Sequence, residues 1–162
     1  MTAGRFSVEV LDGAGFALLA AGEPPRAGLR LPDPALAPPE VLEMLARIAN
    51  GLRERVDPNA WIVVEDDAIL SLCSITSLAQ PGVPVIGYGT APAHEGRGAA
   101  SAAVAAVIEW ARSAPGIDAV SAETSVANPA SQRVLERNGF SVVGERIDDE
   151  DGPLLCWQIP TH

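Results

Sequence analysis

The chain has 162 residues, 48% of them apolar and 20% charged, which is the composition of a folded globular protein of about one domain's length. Its 11 basic residues against 21 acidic ones leave a net charge of −10, which repels a nucleic-acid backbone and favours cationic partners. Every basic residue is arginine, and without lysine a Schiff-base mechanism and a Walker-type phosphate loop are excluded.

The 2 histidines and 2 cysteines are too few and too scattered for a zinc site, so no metal is expected. No apolar run reaches the roughly 18 residues of a membrane helix, and the opening MTAGRFSVEV has no signal-like apolar stretch. A cytoplasmic protein forming a single domain over 1–162 is expected, with neither membrane nor nucleic acid as partner.

The first element is a strand over Phe6–Val10, where apolar and polar residues alternate. Six prolines between Ala21 and Pro39 forbid a regular element there and predict a loop. Val41, Leu42, Leu45, Ile48 and Leu52 then recur at helical spacing, which predicts an amphipathic helix over 40–55. Three β-branched runs follow as strands: Trp61–Glu65, Ala68–Thr76 and Val83–Thr90. Asp66–Asp67 forms the hairpin turn between the first two.

Gly96–Ala111 is rich in alanine and reads as a helix. Ile117–Thr124 is a further strand. Asn128 is a good N-cap with Pro129 at the first helical position, and Asn138–Gly139 stops that helix. Phe140–Val143 and Leu154–Ile159 close the chain as strands, joined through the acidic turn 148–152. This order implies a mixed sheet with helices on both faces.

Two segments carry chemistry. In Ile86–Ala100 a strand runs into a glycine-rich turn that opens directly into a helix. Gly96, Arg97, Gly98, Ala99 and Ala100 there offer free backbone N–H groups at the positive end of a helix dipole, and Arg97 adds a donor suited to phosphate. A dinucleotide-binding turn is disfavoured, because GYGTAP lacks the third glycine and no βαβ unit is expected to open with it. In the second segment, Asn128 and Ser131 share the first turn of a helix, and Gly139–Phe140 returns the chain to a strand.

Together these segments resemble the GNAT superfamily of acetyl-CoA-dependent N-acetyltransferases, and most closely its branch acting on ribosomal-protein N-termini. The matching pieces are PAHEGRGAASAAVAAVIEWA and the run NxxSxxVLxxxGF at Asn128–Phe140. The resemblance implies an α+β fold whose mostly antiparallel sheet of six to seven strands splays after the fourth, here Val83–Thr90. It implies that the pantetheine arm of acetyl-CoA pairs with backbone at Gly89, Thr90 and Ala91, and that its pyrophosphate sits on Gly96–Ala100. Asn128 and Ser131 would face the cofactor arm, and the Pro-rich loop with the first helix would line the acceptor cleft.

Many relatives carry a tyrosine on the later helix as the acid for the leaving thiolate. Leu135 stands there in this chain, which makes Ser131 the candidate acid, while Tyr88 is expected to wall the acceptor cleft. Glu123, at the end of the fifth strand, is the candidate base. The implied reaction is direct attack of a primary amine, on a protein N-terminus or a small molecule, upon the thioester of acetyl-CoA. The alternative is an acyl-CoA-binding domain of weak turnover, and a homodimer is a candidate assembly.

Overall fold

Turn residues divide a chain into short extended runs that pair into sheets. The computed structural model describes residues 2–3 and 5–162. In it, eight such segments form one sheet: β1 (Thr2–Ala3), β2 (Phe6–Val10), β3 (Ala60–Glu65), β4 (Ala68–Gln80), β5 (Val83–Thr90), β6 (Ala119–Ser125), β7 (Ser141–Asp148) and β8 (Gly152–Pro160). Their spatial order is β1-β2-β3-β4-β5-β6-β8-β7. Every neighbouring pair is antiparallel except β5 and β6. The count exceeds the expected six to seven through the two-residue β1.

The central strands divide their side chains between two cores. Trp61 and Val63 of β3 pack with helix α3 (Ala99–Ser113) and with Leu135 of helix α4 (Pro129–Arg137). Ile62 and Val64 pack on the other face with helices α1 (Gly13–Ala20) and α2 (Pro39–Leu52). Helices thus cover both faces.

Helix α1 is absent from the expected order. Asp12 caps it by accepting from the Gly15 N–H at 2.7 Å, but GAGFALLA has no polar face to reveal the helical period. Helix α2 ends at Leu52, three residues before the expected limit of 55. The final hairpin is also longer than expected, running Ser141–Asp148 against Gly152–Pro160. Its turn is tied by Asp148, whose carboxylate accepts from the N–H groups of Glu150 and Asp151 at 3.1 and 3.0 Å. Contrary to expectation, the glycine turn does open a parallel crossover, β5–α3–β6.

Three contacts fix α4 against this frame. Gln132 donates to the carbonyls of Ser125 and Val126 at 3.1 and 3.2 Å, stapling the helix to the end of β6. Asn138 donates to Ser101 Oγ at 3.1 Å, joining α4 to the first turns of α3. Leu135 is fully buried between them. A Leu135→Ala variant should therefore lose about 2–5 kcal/mol of unfolding free energy in urea denaturation, the cost of an unfilled core cavity. A loss below about 1 kcal/mol would mean that α4 is not anchored by this side chain.

Candidate active site

The site begins where two strands part. β4 pairs with β5 over its whole length, to Ser71↔Thr90. β6 pairs with β5 only at Val85↔Ser121 and Ile86↔Ala122, then continues alongside β8 as far as Ser125↔Leu154. From Gly87 to Thr90 the β6-facing edge of β5 has no strand partner.

Strand alternation decides which backbone groups face that gap. The Gly89 carbonyl accepts from Ser71 Oγ at 2.6 Å, and the Ala91 N–H donates to the Leu70 carbonyl at 2.8 Å. Odd-numbered residues therefore turn their amides toward β4, leaving those of Tyr88 and Thr90 toward the gap. Of the expected set, Thr90 directs its amide to the gap together with Tyr88, while Gly89 and Ala91 direct theirs to β4. The period-two rule applied to β5 would have found Tyr88, but only with its pairing to β4 known.

The turn after β5 completes one wall. Gly96 and Gly98 have φ of +77° and +87°, values that side-chain-bearing residues rarely adopt. Gly98 is the N-cap of α3 and brings no side-chain acceptor, so no side chain caps the N–H groups of Ala99, Ala100 and Ser101. The first intrahelical bond there is from Ala102 N–H to the Gly98 carbonyl, at 3.0 Å. Uncapped donors at the positive end of a 15-residue helix form an anion cradle.

Helix α4 is the opposite wall. Asn128 caps it by accepting from the Ser131 N–H at 3.2 Å. Between the walls lies a cleft of about 500 Å³, lined by Tyr88, Gly89, Thr90, the turn 94–96 and 98–101, and by Asn128, Ser131, Arg133 and Arg137.

Arg97 departs from its expected role as a phosphate ligand. Its backbone belongs to the turn, but its guanidinium donates to Glu65 and lies 3.2 Å from His94 Nδ1. Arg133 and Arg137 line the cleft in its place, and neither forms an ion pair among the described residues. Their spacing of four on one helix face was visible in the sequence. Glu95 lines the same cleft, so the two arginines face one carboxylate and a row of N–H donors.

The ring of Tyr88 stands on the α4 side of β5. Its hydroxyl is 2.9 Å from Ser131 Oγ and 3.0 Å from the Ser131 carbonyl. Burial pushes its pKa up to about 12, against a smaller opposing effect of the Ser131 hydrogen bond. The phenol therefore keeps its proton, which the Ser131 carbonyl accepts, while Ser131 Oγ stands within hydrogen-bond reach of the phenol oxygen. Leu135 faces the core and cannot reach the cleft.

Glu123 lies beyond the gap, on the sheet face away from α4. Both of its oxygens accept from Arg146, one through Nε and the other through Nη2 at 2.8 Å. That hydrogen-bonded guanidinium holds its carboxyl below the usual carboxylate range, against a smaller effect of burial. Glu123, Arg146, Asp151 and Gly87 line a second opening of about 500 Å³. Cys73 is buried, with its thiol pushed up to about 12 by that burial, and has no access to either opening. Arg26 is paired with Glu9 at the surface, at 2.7 Å.

A mixed sheet parted beside an uncapped, glycine-started helix defines a GNAT-type acetyltransferase. Residues 22–141 match the acetyltransferase (GNAT) domain family, and the chain belongs to it. Among solved structures, the ribosomal-protein-S5-alanine acetyltransferase of Vibrio fischeri matches with a TM-score of 0.71 at 16% identity, over 99% of this chain and 96% of that one. A ribosomal L7/L12 α-N-protein acetyltransferase in complex with coenzyme A matches at 0.70 and 16%, over 99% and 96%. A spermidine N-acetyltransferase chimera from Vibrio cholerae matches at 0.67 and 13%, over 97% and 96%. At these identities the likeness concerns the fold. A comparison with curated protein sequences finds no match.

Tyr88 is the sole tyrosine, so phenolate absorbance reports it alone. Spectrophotometric titration of the native protein should show no ionisation near pH 10 and a midpoint near 12, or coincident with alkaline unfolding. A native-state midpoint near 10 would mean an exposed phenol with no hold on Ser131.

Proposed function

We propose that this chain is an acetyl-CoA-dependent N-acetyltransferase that acylates a primary amine, on a protein N-terminus or a small molecule, by direct attack. One observation carries this reading: the uncapped α3 turn, the unpaired amides of Tyr88 and Thr90, and Ser131 all face a single cleft. The fit to an acyl-CoA is chemical as well as spatial. The diphosphate meets N–H donors with Arg133 and Arg137 beside them, and the amide-bearing arm meets an open strand edge that can hydrogen-bond it.

Acetyl-CoA supplies an activated acyl carbon. The backbone N–H of Tyr88 is placed to donate to the oxygen that gains charge as the amine attacks, a stabilisation that costs no reorganisation. Ser131, backed by the protonated Tyr88 hydroxyl, donates to the departing sulfur. Glu123, on the acceptor side, takes the amine proton directly or through water.

The Arg146 clamp makes Glu123 a weak base, and that bears on the acceptor. At pH 7.5 about a quarter to a third of an α-amine with pKa near 8 is already neutral, against about one part in a thousand of an alkylamine with pKa near 10.4. A weak base suffices for the former. This supports an α-amino group, as on a peptide N-terminus, over a polyamine.

Two substitutions test the assignments. Ser131→Ala should lower kcat by about a hundredfold while raising the KM for acetyl-CoA by less, measured by thiol release; unchanged turnover would remove Ser131 from the chemistry. Arg146→Ala should let the Glu123 pKa rise toward the ordinary carboxylate range. Because Glu123 works ionised, the acid limb of the kcat/KM profile should then move to higher pH. An unmoved limb would exclude Glu123 from the proton path.

A further inference from the structure

On the α2 side of β5 lies a chamber of about 280 Å³ that the transfer step leaves unused. Leu36, Val41, Leu42, Leu45 and Leu72 wall it, and no charged side chain lines it. Its polar lining is Ser74, which is buried, and the backbone side of Tyr88, whose ring points the other way to Ser131. The floor is the bare backbone of Gly87 and Gly89.

Neither glycine has a positive φ, and a Cβ built on Gly89 would meet nothing within 4 Å. The backbone therefore does not require glycine at these positions. Their lack of side chains keeps the chamber open to the splayed gap. Gly87 also lines the opening that holds Glu123, and Gly89 the cleft that holds Ser131. Three cavities thus meet along four residues of one strand, at the point where acyl carbon and amine must meet.

We infer that this chamber selects the acceptor: it takes an aliphatic or aromatic group carried next to the reacting amine, so the preferred substrate is the α-amine of a bulky apolar residue. The inference rests on the acetyltransferase reading above and goes beyond it by naming the acceptor's side chain. A dry, aliphatic-lined cavity of about 150 Å³ already accommodates a benzene ring, so this chamber has room for a leucine or phenylalanine side chain. The second ammonium of a polyamine would lose its hydration there and meet no carboxylate in return. The amine itself sits toward Glu123, whose charge lies outside the apolar walls.

The test compares leucinamide, glycinamide and spermidine, using acetyl-CoA turnover and calorimetric binding to the CoA-saturated protein. The first two are both α-amines, so their proton affinities match and the side chain is the variable. Leucinamide should exceed glycinamide by roughly tenfold or more in kcat/KM, as an apolar pocket discriminates by size, and spermidine should rank last. Leu45→Asp, at a partly exposed position, should bring leucinamide and glycinamide to near parity while leaving CoA affinity within about twofold. Gly89→Val should erode the same ratio from the sheet side.

Equal binding and turnover of the three amines, with CoA still bound, would overturn the chamber assignment and leave the acetyltransferase reading intact. Faster transfer from hexanoyl-CoA than from acetyl-CoA, without acceptor discrimination, would hand the chamber to the acyl chain and overturn it likewise. Failure to bind CoA at all would instead sink the parent reading.

Discussion

The site depends on a competition for β6. β5 and β6 share a parallel register of two residue pairs, whereas β6 and β8 share seven. Past Ala122 the backbone of β6 follows β8 alone, and Gln132 ties the end of β6 to α4. β5 meanwhile stays with β4 to its end. A strand drawn to one side while its neighbour stays on the other leaves backbone donors and acceptors unpaired in the middle of a sheet. Such groups are costly unless water or a ligand satisfies them.

The surrounding charges follow the same division. Five arginines sit beside carboxylates: Arg5 and Arg97 on Glu65, Arg26 on Glu9, Arg53 on Asp57 and Arg146 on Glu123. Arg133 and Arg137 face the cleft without such a partner among the described residues. A chain of net charge −10 thus places two arginines without an ion-pair partner among the described residues beside the uncapped helix start. The second opening keeps a carboxylate, Glu123, whose charge Arg146 already balances.

Local features of the site were legible in the sequence and long-range ones were not. The glycine turn into α3 and the Asn128 cap are contiguous in the chain, and each is a known backbone solution with its own residue signature. The partner of Arg97 is Glu65, 32 residues away; that of Glu123 is Arg146, 23 away; that of Tyr88 is Ser131, 43 away. Those pairings are set by strand register and helix docking, which no single segment encodes. The fold shows the same split. β7 is exposed along almost its whole length, so no apolar alternation marks its full extent. α1 carries no periodic signal for the opposite reason, being apolar all round.

The crossover from β5 to α3 has one more consequence. Thr90, at the open edge, and Gly96, at the start of the cradle, are separated by a short stretch whose middle is a single turn of 3₁₀ helix, Pro92–His94. Edge and cradle are therefore held at a set separation by the chain itself. Under the proposed reading the protein would act as a gauge of length: a ligand whose anionic head rests on the cradle would bring its reactive carbonyl to the edge only if its span matched that separation.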